Sequence, residues 1–134
     1  MNEVVKFLEE NSVQYFSTVG LDNKPKVRPF QFMLEDGGKL YFCTNSEKDV
    51  FKQMENNPYV EVCVSNPKFA WMRLKGKAQF SNDMAIKEKV INSSPLVKSL
   101  YKTADNPIFE IFYLDDAKAV IADFSGNAPK EFNL

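Results

Sequence analysis

The sequence predicts a mainly β (α+β) protein built on a small antiparallel barrel with short helices at its ends. Alternating stretches rich in aromatic and β-branched residues recur as consecutive hairpins, and short segments of helical periodicity separate them. The chain has 134 residues, which suits one domain with one core. Consecutive hairpins joined by short helices disfavour a parallel βαβ sheet and favour an antiparallel barrel.

The first part of the chain is predicted to form one helix and three strands. An amphipathic helix is expected over residues 2–11. Alternating apolar residues then predict strands over 13–19, 26–35 and 39–44. Residues 36–38, Asp-Gly-Gly, are expected to close the hairpin between the second and third strands. Pro29 cannot donate to a strand ladder, so it indicates an edge or a bulge.

The second part of the chain is predicted to alternate helices with pairs of strands. Helical spacing predicts a helix over 46–56, with Ser46 as its cap. Asp83 is the expected cap of a helix over 84–91, and the residues beyond 124 are expected to form a loop. The remaining predictions are strands over 59–65 and 69–81, a resumed helix over 96–101, and a hairpin of 108–114 with 117–124.

Composition and charge exclude several classes of protein. The chain has 17 basic and 18 acidic residues and a net charge of −1, so it lacks the basic excess typical of a nucleic-acid-binding protein. Its 44% hydrophobic content is typical of globular proteins rather than disordered ones. Neither a signal peptide nor a membrane-spanning stretch is evident, so a cytoplasmic protein is expected. Cys43 and Cys63 are expected to be reduced and buried.

The chain contains no histidine. This excludes Ser-His and Cys-His nucleophilic pairs and histidine-bound haem or metal, and two distant cysteines do not make a zinc site. We therefore expect no catalytic side chain and no metal, and any difficult chemistry would come from a cofactor.

One segment runs from a predicted strand end into a helix N-terminus, where backbone N–H groups and the helix dipole favour an anion. It contains Thr44, Ser46 and Lys48. Taken alone, it is equally typical of an ordinary helix cap with a surface lysine. Arg28 lies in a neighbouring predicted strand, and its planar guanidinium can bind phosphate with two hydrogen bonds. Together these residues predict a phosphate-sized anion site.

Two further segments could contact a flat ligand. Phe30 and Phe32 are expected to pack in the core, while the backbone around Gln31 could face the polar edge of a heteroaromatic ring. Trp71 and Arg73 alternate with two lysines on one strand face. That face is either a solvated exterior or a dimer interface that offers Trp71 and Arg73 to a ligand on the neighbouring subunit.

The sequence resembles the pyridoxamine 5′-phosphate oxidase-like split-barrel flavoproteins, and within them the NimC/NimA-like and general-stress branch. The resemblance covers most of residues 1–124. It rests on the order of several motifs: Arg28-Pro29-Phe30, then Thr44-Asn45 and Lys48, then WMRLKGKAQF at residues 71–80.

The resemblance implies a homodimeric split β-barrel with FMN in the groove between subunits. It implies that the FMN phosphate is held by Arg28, Thr44 and Lys48, with Asn45 beside it. It implies that backbone groups of residues 29–32 (Pro29, Phe30, Gln31 and Phe32) face the isoalloxazine edge. Trp71 and Arg73 would reach the flavin from the partner chain.

The expected function is that of an FMN-dependent oxidoreductase that transfers a hydride or electrons to or from a small planar molecule. The alternatives are a flavin carrier, sensor or stress protein without turnover, and a dimeric scaffold that binds no flavin. The pyridoxamine phosphate oxidases of this family are longer chains, and they carry a C-terminal substrate motif that contains an arginine and a histidine. That motif is missing here, so oxidation of that vitamer is not expected.

Overall fold

The structure, a computed structural model, describes residues 1–134. The helices are α1 (Asn2–Glu10), α2 (Asp49–Asn56), α3 (Met84–Ser93) and α4 (Pro95–Tyr101). The strands are β1 (Gln14–Val19), β2 (Pro25–Phe30), β3 (Leu34–Asp36), β4 (Lys39–Asn45), β5 (Tyr59–Ser65), β6 (Trp71–Ser81), β7 (Phe109–Ala122) and β8 (Lys130–Asn133). None of the four helices has the length and apolarity needed to cross a bilayer.

All eight strands belong to one antiparallel sheet, and the expected mainly β split barrel is confirmed. Seven strands follow the order β2-β1-β5-β6-β7-β4-β3, and β8 pairs with β7. The sheet curls on itself, since the Phe30 ring in β2 lies 6.3 Å from the Phe112 ring in β7. No ladder joins β2 to β3 or β4, so one edge of β2 has no strand partner. This open edge sets the position of the candidate site.

Phenylalanine rings fill the barrel. Phe16, Phe42 and Phe112 are fully buried, and their ring centroids are 5.6–5.7 Å apart in edge-to-face arrangements. They come from β1, β4 and β7, in which successive side chains point to opposite faces of the sheet. In β4 and β7 the other face is also covered, since Tyr41 and Ile111 are buried in a second apolar cluster. Val4 and Leu8 of α1 are buried in the same cluster, so this helix covers part of the core.

The predicted strand over 26–35 is interrupted, and this prediction is wrong. β2 ends at Phe30 and β3 begins at Leu34. The side chain of Gln14 explains the break: its Oε1 accepts a hydrogen bond of 2.6 Å from the Phe32 N–H. Gln14 is buried, and its Nε2 donates to the carbonyls of Leu8 and Asn11. A side-chain amide therefore replaces a strand partner at this point.

Helix α2 begins later than predicted, and Ser46 is not its cap. The backbone first makes a turn around Asn45, whose Oδ1 accepts the Glu47 N–H and whose carbonyl accepts the Lys48 N–H. This local hydrogen bonding competes with helix formation. Lys48 occupies the N-cap position, and no side chain caps the helix.

The predicted hairpin of 108–114 with 117–124 is also wrong, because β7 is one continuous strand. Both of its halves pair with β6, from Ser81↔Ile111 to Trp71↔Ala122. The register shifts between Lys75 and Lys77, where Asp116 and Ala117 of β7 lie opposite the single residue Gly76 of β6, so the bulge lies on β7. The tail expected to be a loop contains β8, which pairs with residues 118–121.

The two cysteines are free and occupy different environments. Cys43 is largely buried, and burial raises the pKa of its thiol to about 12. Cys63 is exposed on the outer face of β5, contrary to the expectation that both are buried.

We expect Phe112→Ala to lower the free energy of unfolding by about 3–5 kcal/mol, because it leaves a cavity among packed rings. Urea denaturation followed by circular dichroism measures the change. Leu96→Ala is the control: Leu96 is 64% exposed on α4, so its truncation should change stability by less than about 0.5 kcal/mol. Equal effects of the two variants would contradict the described core.

Candidate functional site

A cleft of about 600 Å³ lies between the open edge of β2 and the beginning of α2. Its polar lining consists of Lys26, Arg28, Lys48, Asp49 and Gln53. Lys26 forms an ion pair with Asp22 at 3.2 Å, whereas neither Arg28 nor Lys48 has a carboxylate within 4 Å. Arg28 and Lys48 are therefore two cations of the cleft that have no ion-pair partner. Asp49 is the one carboxylate that lines the same cleft.

Three hydrogen bonds fix the guanidinium of Arg28. Its Nη1 donates to the Phe16 carbonyl at 3.2 Å and to Thr18 Oγ1 at 2.8 Å, and its Nη2 donates to Gln53 Oε1 at 2.7 Å. The Thr18 hydroxyl also donates to Gln53 Oε1, at 2.6 Å. Arg28, Thr18 and Gln53 thus form a closed ring of hydrogen bonds, which we call the Arg28 clamp.

The clamp leaves one edge of the guanidinium free. Arginine has five N–H donors, and three are used here, so the Nε–H and one Nη2–H have no protein partner. Thr18 Oγ1 accepts from Nη1 and Gln53 Oε1 accepts from Nη2, and these two oxygens are hydrogen-bonded to each other. They therefore lie at the end of the guanidinium, between its two Nη atoms. The unused pair is then the side edge, which matches two oxygens of a phosphate or carboxylate.

Partial burial accounts for the number of hydrogen bonds around Arg28. Desolvation lowers the pKa of Arg28, and the charge of nearby Asp49 opposes this by raising it. An arginine remains protonated despite such shifts, so the site keeps a positive charge at physiological pH. Removing a cation from water is costly unless hydrogen bonds compensate, and the clamp supplies them.

Helix α2 adds backbone donors to the cleft. No side chain caps its N-terminus, so the N–H groups of its first turn have no side-chain acceptor. These groups carry the positive end of the helix dipole, which favours an anion. Lys48 is exposed at the N-cap position and lines the same cleft.

Thr44 and Asn45 lie at the end of β4 and do not line the cleft. Thr44 is 2% exposed, and its Oγ1 is the one buried side-chain nitrogen or oxygen in the chain without a hydrogen-bond partner. Asn45 donates through Nδ2 to the Tyr101 hydroxyl at 3.0 Å and caps the turn before α2. Asn45 therefore shapes the entry to the helix.

The segment from Pro29 to Phe32 follows the open edge of β2. The rings of Phe30 and Phe32 pack in the core, at 4.7 Å from Phe16 and 5.8 Å from Phe42. The Phe32 N–H is occupied by Gln14. The side chains of Pro29 and Gln31 are exposed.

Trp71 and Arg73 are not brought to the cleft within one chain. They lie on β6, which is separated from β2 by β1 and β5. Arg73 is exposed on the outer face, and the Trp71 ring contacts the exposed Phe124 with centroids 5.1 Å apart.

Thr18 and Gln53 are the site residues that sequence reasoning missed. Gln53 shares the buried face of α2 with Val50 and Met54. A polar residue on an otherwise apolar helix face is a signal that could have identified it, because such a group needs a buried partner.

The donor set fits an oxyanion. Fixed guanidinium donors, a lysine and an uncapped helix N-terminus converge on one cleft, and this combination is typical of phosphate recognition. A metal ion would instead need several acceptor ligands, and no cluster of three or more cysteines and carboxylates is present.

Comparisons with known proteins identify the relatives of this chain. The family model described as pyridoxamine 5′-phosphate oxidase matches residues 1–124. The comparison with curated sequences gives no match. Among solved structures, the chain is similar to a NimC/NimA family protein from Clostridium acetobutylicum, with 35% identity and a TM-score of 0.91. That alignment covers 100% of this chain and 93% of the other.

Other solved structures share the fold at lower identity. General stress protein 26 from Bacillus anthracis str. Sterne is 21% identical, with a TM-score of 0.80 and coverage of 99% and 97%. A pyridoxamine 5′-phosphate oxidase-related, FMN-binding protein from Nostoc punctiforme is 17% identical, with a TM-score of 0.76 and coverage of 97% and 87%. A heme-binding protein from Mycobacterium smegmatis and an F₄₂₀ reductase share the fold as well. The split barrel and the match over residues 1–124 together establish that this chain belongs to the pyridoxamine 5′-phosphate oxidase family.

Proposed function

We propose that this protein binds FMN, with the phosphate in the cleft between β2 and α2. The observation that carries the proposal is the free side edge of Arg28, held beside Lys48 and the uncapped N-terminus of α2. A phosphate dianion is the group that such a donor set binds best. The FMN-binding relative of the same fold supports the choice of cofactor.

The remaining predicted contacts follow from the phosphate position. The open edge of β2 offers backbone groups of residues 29–32 to the isoalloxazine edge, except for the Phe32 N–H, which Gln14 occupies. Thr44 has an unpartnered hydroxyl close in sequence to the cleft, and we retain it and Asn45 as residues beside the phosphate.

The proposed activity is that of an oxidoreductase acting on a small planar molecule. A bound flavin supplies hydride or electron transfer, while the protein binds and orients it. Asp49 is the one carboxylate that lines the cleft. Because this carboxylate lies beside the proposed phosphate and the chain has no histidine, solvent or substrate is the proposed source of the proton. The alternative is a flavin carrier, sensor or stress protein with no turnover of its own.

The flavin site is proposed to be completed by a second copy of the chain. Tyr15 of β1, Val27 of β2 and Val13, which immediately precedes β1, are each more than half accessible to solvent. Contiguous apolar surface of this kind is typical of an interface. The same surface carries Glu61 opposite Lys75 in the β5–β6 ladder, so a two-fold-related copy can pair opposite charges. In the dimer, Trp71 and Arg73 would reach the partner's flavin.

We expect Arg28→Ala to weaken FMN binding about 10–150-fold, the equivalent of about 1.5–3 kcal/mol for charged hydrogen bonds. Riboflavin lacks the phosphate, so its affinity should change less than about twofold. Flavin fluorescence titration of the apoprotein measures both constants. Lys89→Ala is a control, since this exposed lysine pairs with Asp36 on another surface. Undiminished FMN affinity in Arg28→Ala would refute the phosphate assignment.

The dimer predicts protection of Cys63, which pairs with Tyr15 across the β1–β5 ladder. Sedimentation velocity at about 20 μM should give a dimer for the wild type and a monomer for Tyr15→Lys, because a charge is costly to bury. Iodoacetamide at pH 8 should then label Cys63 faster in Tyr15→Lys. Cys43, with a thiol pKa of about 12, should react in neither folded form. A monomeric wild type would remove the partner-chain role of Trp71 and Arg73.

Turnover separates the oxidoreductase from the carrier. We expect the FMN-loaded protein to oxidise NADH or NADPH when quinones or nitroaromatic compounds are supplied as acceptors, measured by absorbance at 340 nm. Free FMN at the same concentration is the control. Reduction by dithionite without any such turnover on a broad acceptor panel would favour the carrier.

A further inference from the structure

Gln53 is a buried polar residue of the cleft, and only one of its two amide atoms has a protein partner. It is 9% exposed and lies on α2, one turn after the helix N-terminus. Its Oε1 accepts hydrogen bonds from both Arg28 and Thr18, at 2.7 and 2.6 Å. Its Nε2 donates to no protein group.

The hydrogen bonds determine which way the amide points. An arginine has only donors, so the atom of Gln53 that contacts Arg28 must be the oxygen. The Thr18 hydroxyl accepts from Arg28 at 2.8 Å, so its single hydrogen is left for the same oxygen. The NH₂ group is then directed away from the clamp. Thr44 Oγ1 is the one fully buried side-chain nitrogen or oxygen that lacks a hydrogen-bond partner. Since Gln53 Nε2 also lacks a partner, this nitrogen must be in part accessible to solvent.

Gln53 also lines the cleft in which an anion would bind. It lines the cleft together with Arg28 and Lys48, and it lies four residues after Asp49, the first residue of α2. Gln53 also lines a neighbouring hollow, together with Asp22 and Lys52. Arg28 and Gln53 both line the cleft, so the unused donors of Arg28 and the unused NH₂ of Gln53 are available to one ligand there. Asp49 lines the same cleft and repels an anion, so additional neutral donors there have a clear electrostatic purpose.

We propose that Gln53 is a further residue of the phosphate site, with its carbonyl positioning Arg28 and its amide NH₂ donating a hydrogen bond to the phosphate. The inference rests on the proposed FMN function and deepens it. Gln53 thereby helps to select phosphorylated over unphosphorylated flavin. Thr18 is a positioning residue that acts only through Arg28 and Gln53.

The test compares FMN and riboflavin affinities of variants that separate the two sides of the amide. Gln53→Glu keeps an acceptor for Arg28 and Thr18 but replaces the NH₂ donor with a charged oxygen. We expect it to weaken FMN binding at least about 30-fold, in the range of a lost hydrogen bond to a charged group together with repulsion. Riboflavin affinity should change less than twofold. Gln79→Glu is the matched control, since this exposed glutamine on β6 gives the same charge change outside the cleft.

Thr18→Val tests positioning. It removes the hydroxyl, which accepts from Arg28 and donates to Gln53, with little change of shape. We expect it to weaken FMN binding about 3–10-fold, because loss of these two contacts affects the phosphate only through the residues that they position. In an Arg28→Ala background, Thr18→Val should weaken FMN binding less than it does in the wild type, because only its contact with Gln53 remains, whereas Gln53→Glu should still weaken FMN binding several-fold. Where Gln53→Glu does not fold, Gln53→Met serves instead, with an expected loss of about tenfold for FMN alone.

The outcomes separate this inference from the function on which it rests. If the wild type binds FMN no better than riboflavin, the proposed function and the inference both fail. If FMN is preferred and Arg28→Ala abolishes the preference while Gln53→Glu changes it less than twofold, only the inference fails. Equal losses of FMN and riboflavin affinity in Gln53→Glu would also overturn it, because a general structural role would then explain the effect.

Discussion

A half-buried arginine at the open edge of a β-barrel is the constraint on which the site depends. Arg28 loses water on folding, and this loss must be compensated by hydrogen bonds from groups that are themselves buried. The Phe16 carbonyl, Thr18 and Gln53 supply these bonds. Because the three partners engage one end of the guanidinium, its side edge is left for a ligand.

The barrel provides the rigidity that this arrangement needs. Phe16 lies directly opposite Arg28 in the β1–β2 ladder, and its ring is locked among other buried rings. Gln53 is held by α2, which packs on β1 and β4 through Val50 and Met54. The clamp therefore connects an edge strand, its neighbour and a helix, and none of the three can shift without breaking a hydrogen bond in the interior.

Much of the fold follows from local patterns, and the errors arise where side chains override them. The alternation of β5 was sufficient to give its bounds, and Asp83 caps α3 through Ala85 and Ile86 as its position predicts. The break after β2 depends on Gln14, a buried amide whose partners come from the end of α1 and from the link between β2 and β3. The continuity of β7 depends on β6 lying beside both of its halves. Such long-range pairings leave no periodic signal in the segment that they change.

The site was predictable to the same degree. Charge and helix position were sufficient to select Arg28 and Lys48, which the structure places in one cleft. Gln53 and Thr18 were not identified from the sequence, because a neutral residue can take part in such a site only through the neighbours that orient it.

The chain has two arginines, Arg28 and Arg73. Spectroscopy of the ¹H–¹⁵N correlations of their Nε–H groups, assigned with Arg73→Lys, tests directly whether the side edge of Arg28 binds the phosphate. We expect FMN to shift the Arg28 Nε–H resonance strongly downfield and riboflavin to leave it in place. An unchanged Arg28 resonance in FMN-saturated protein would contradict the account.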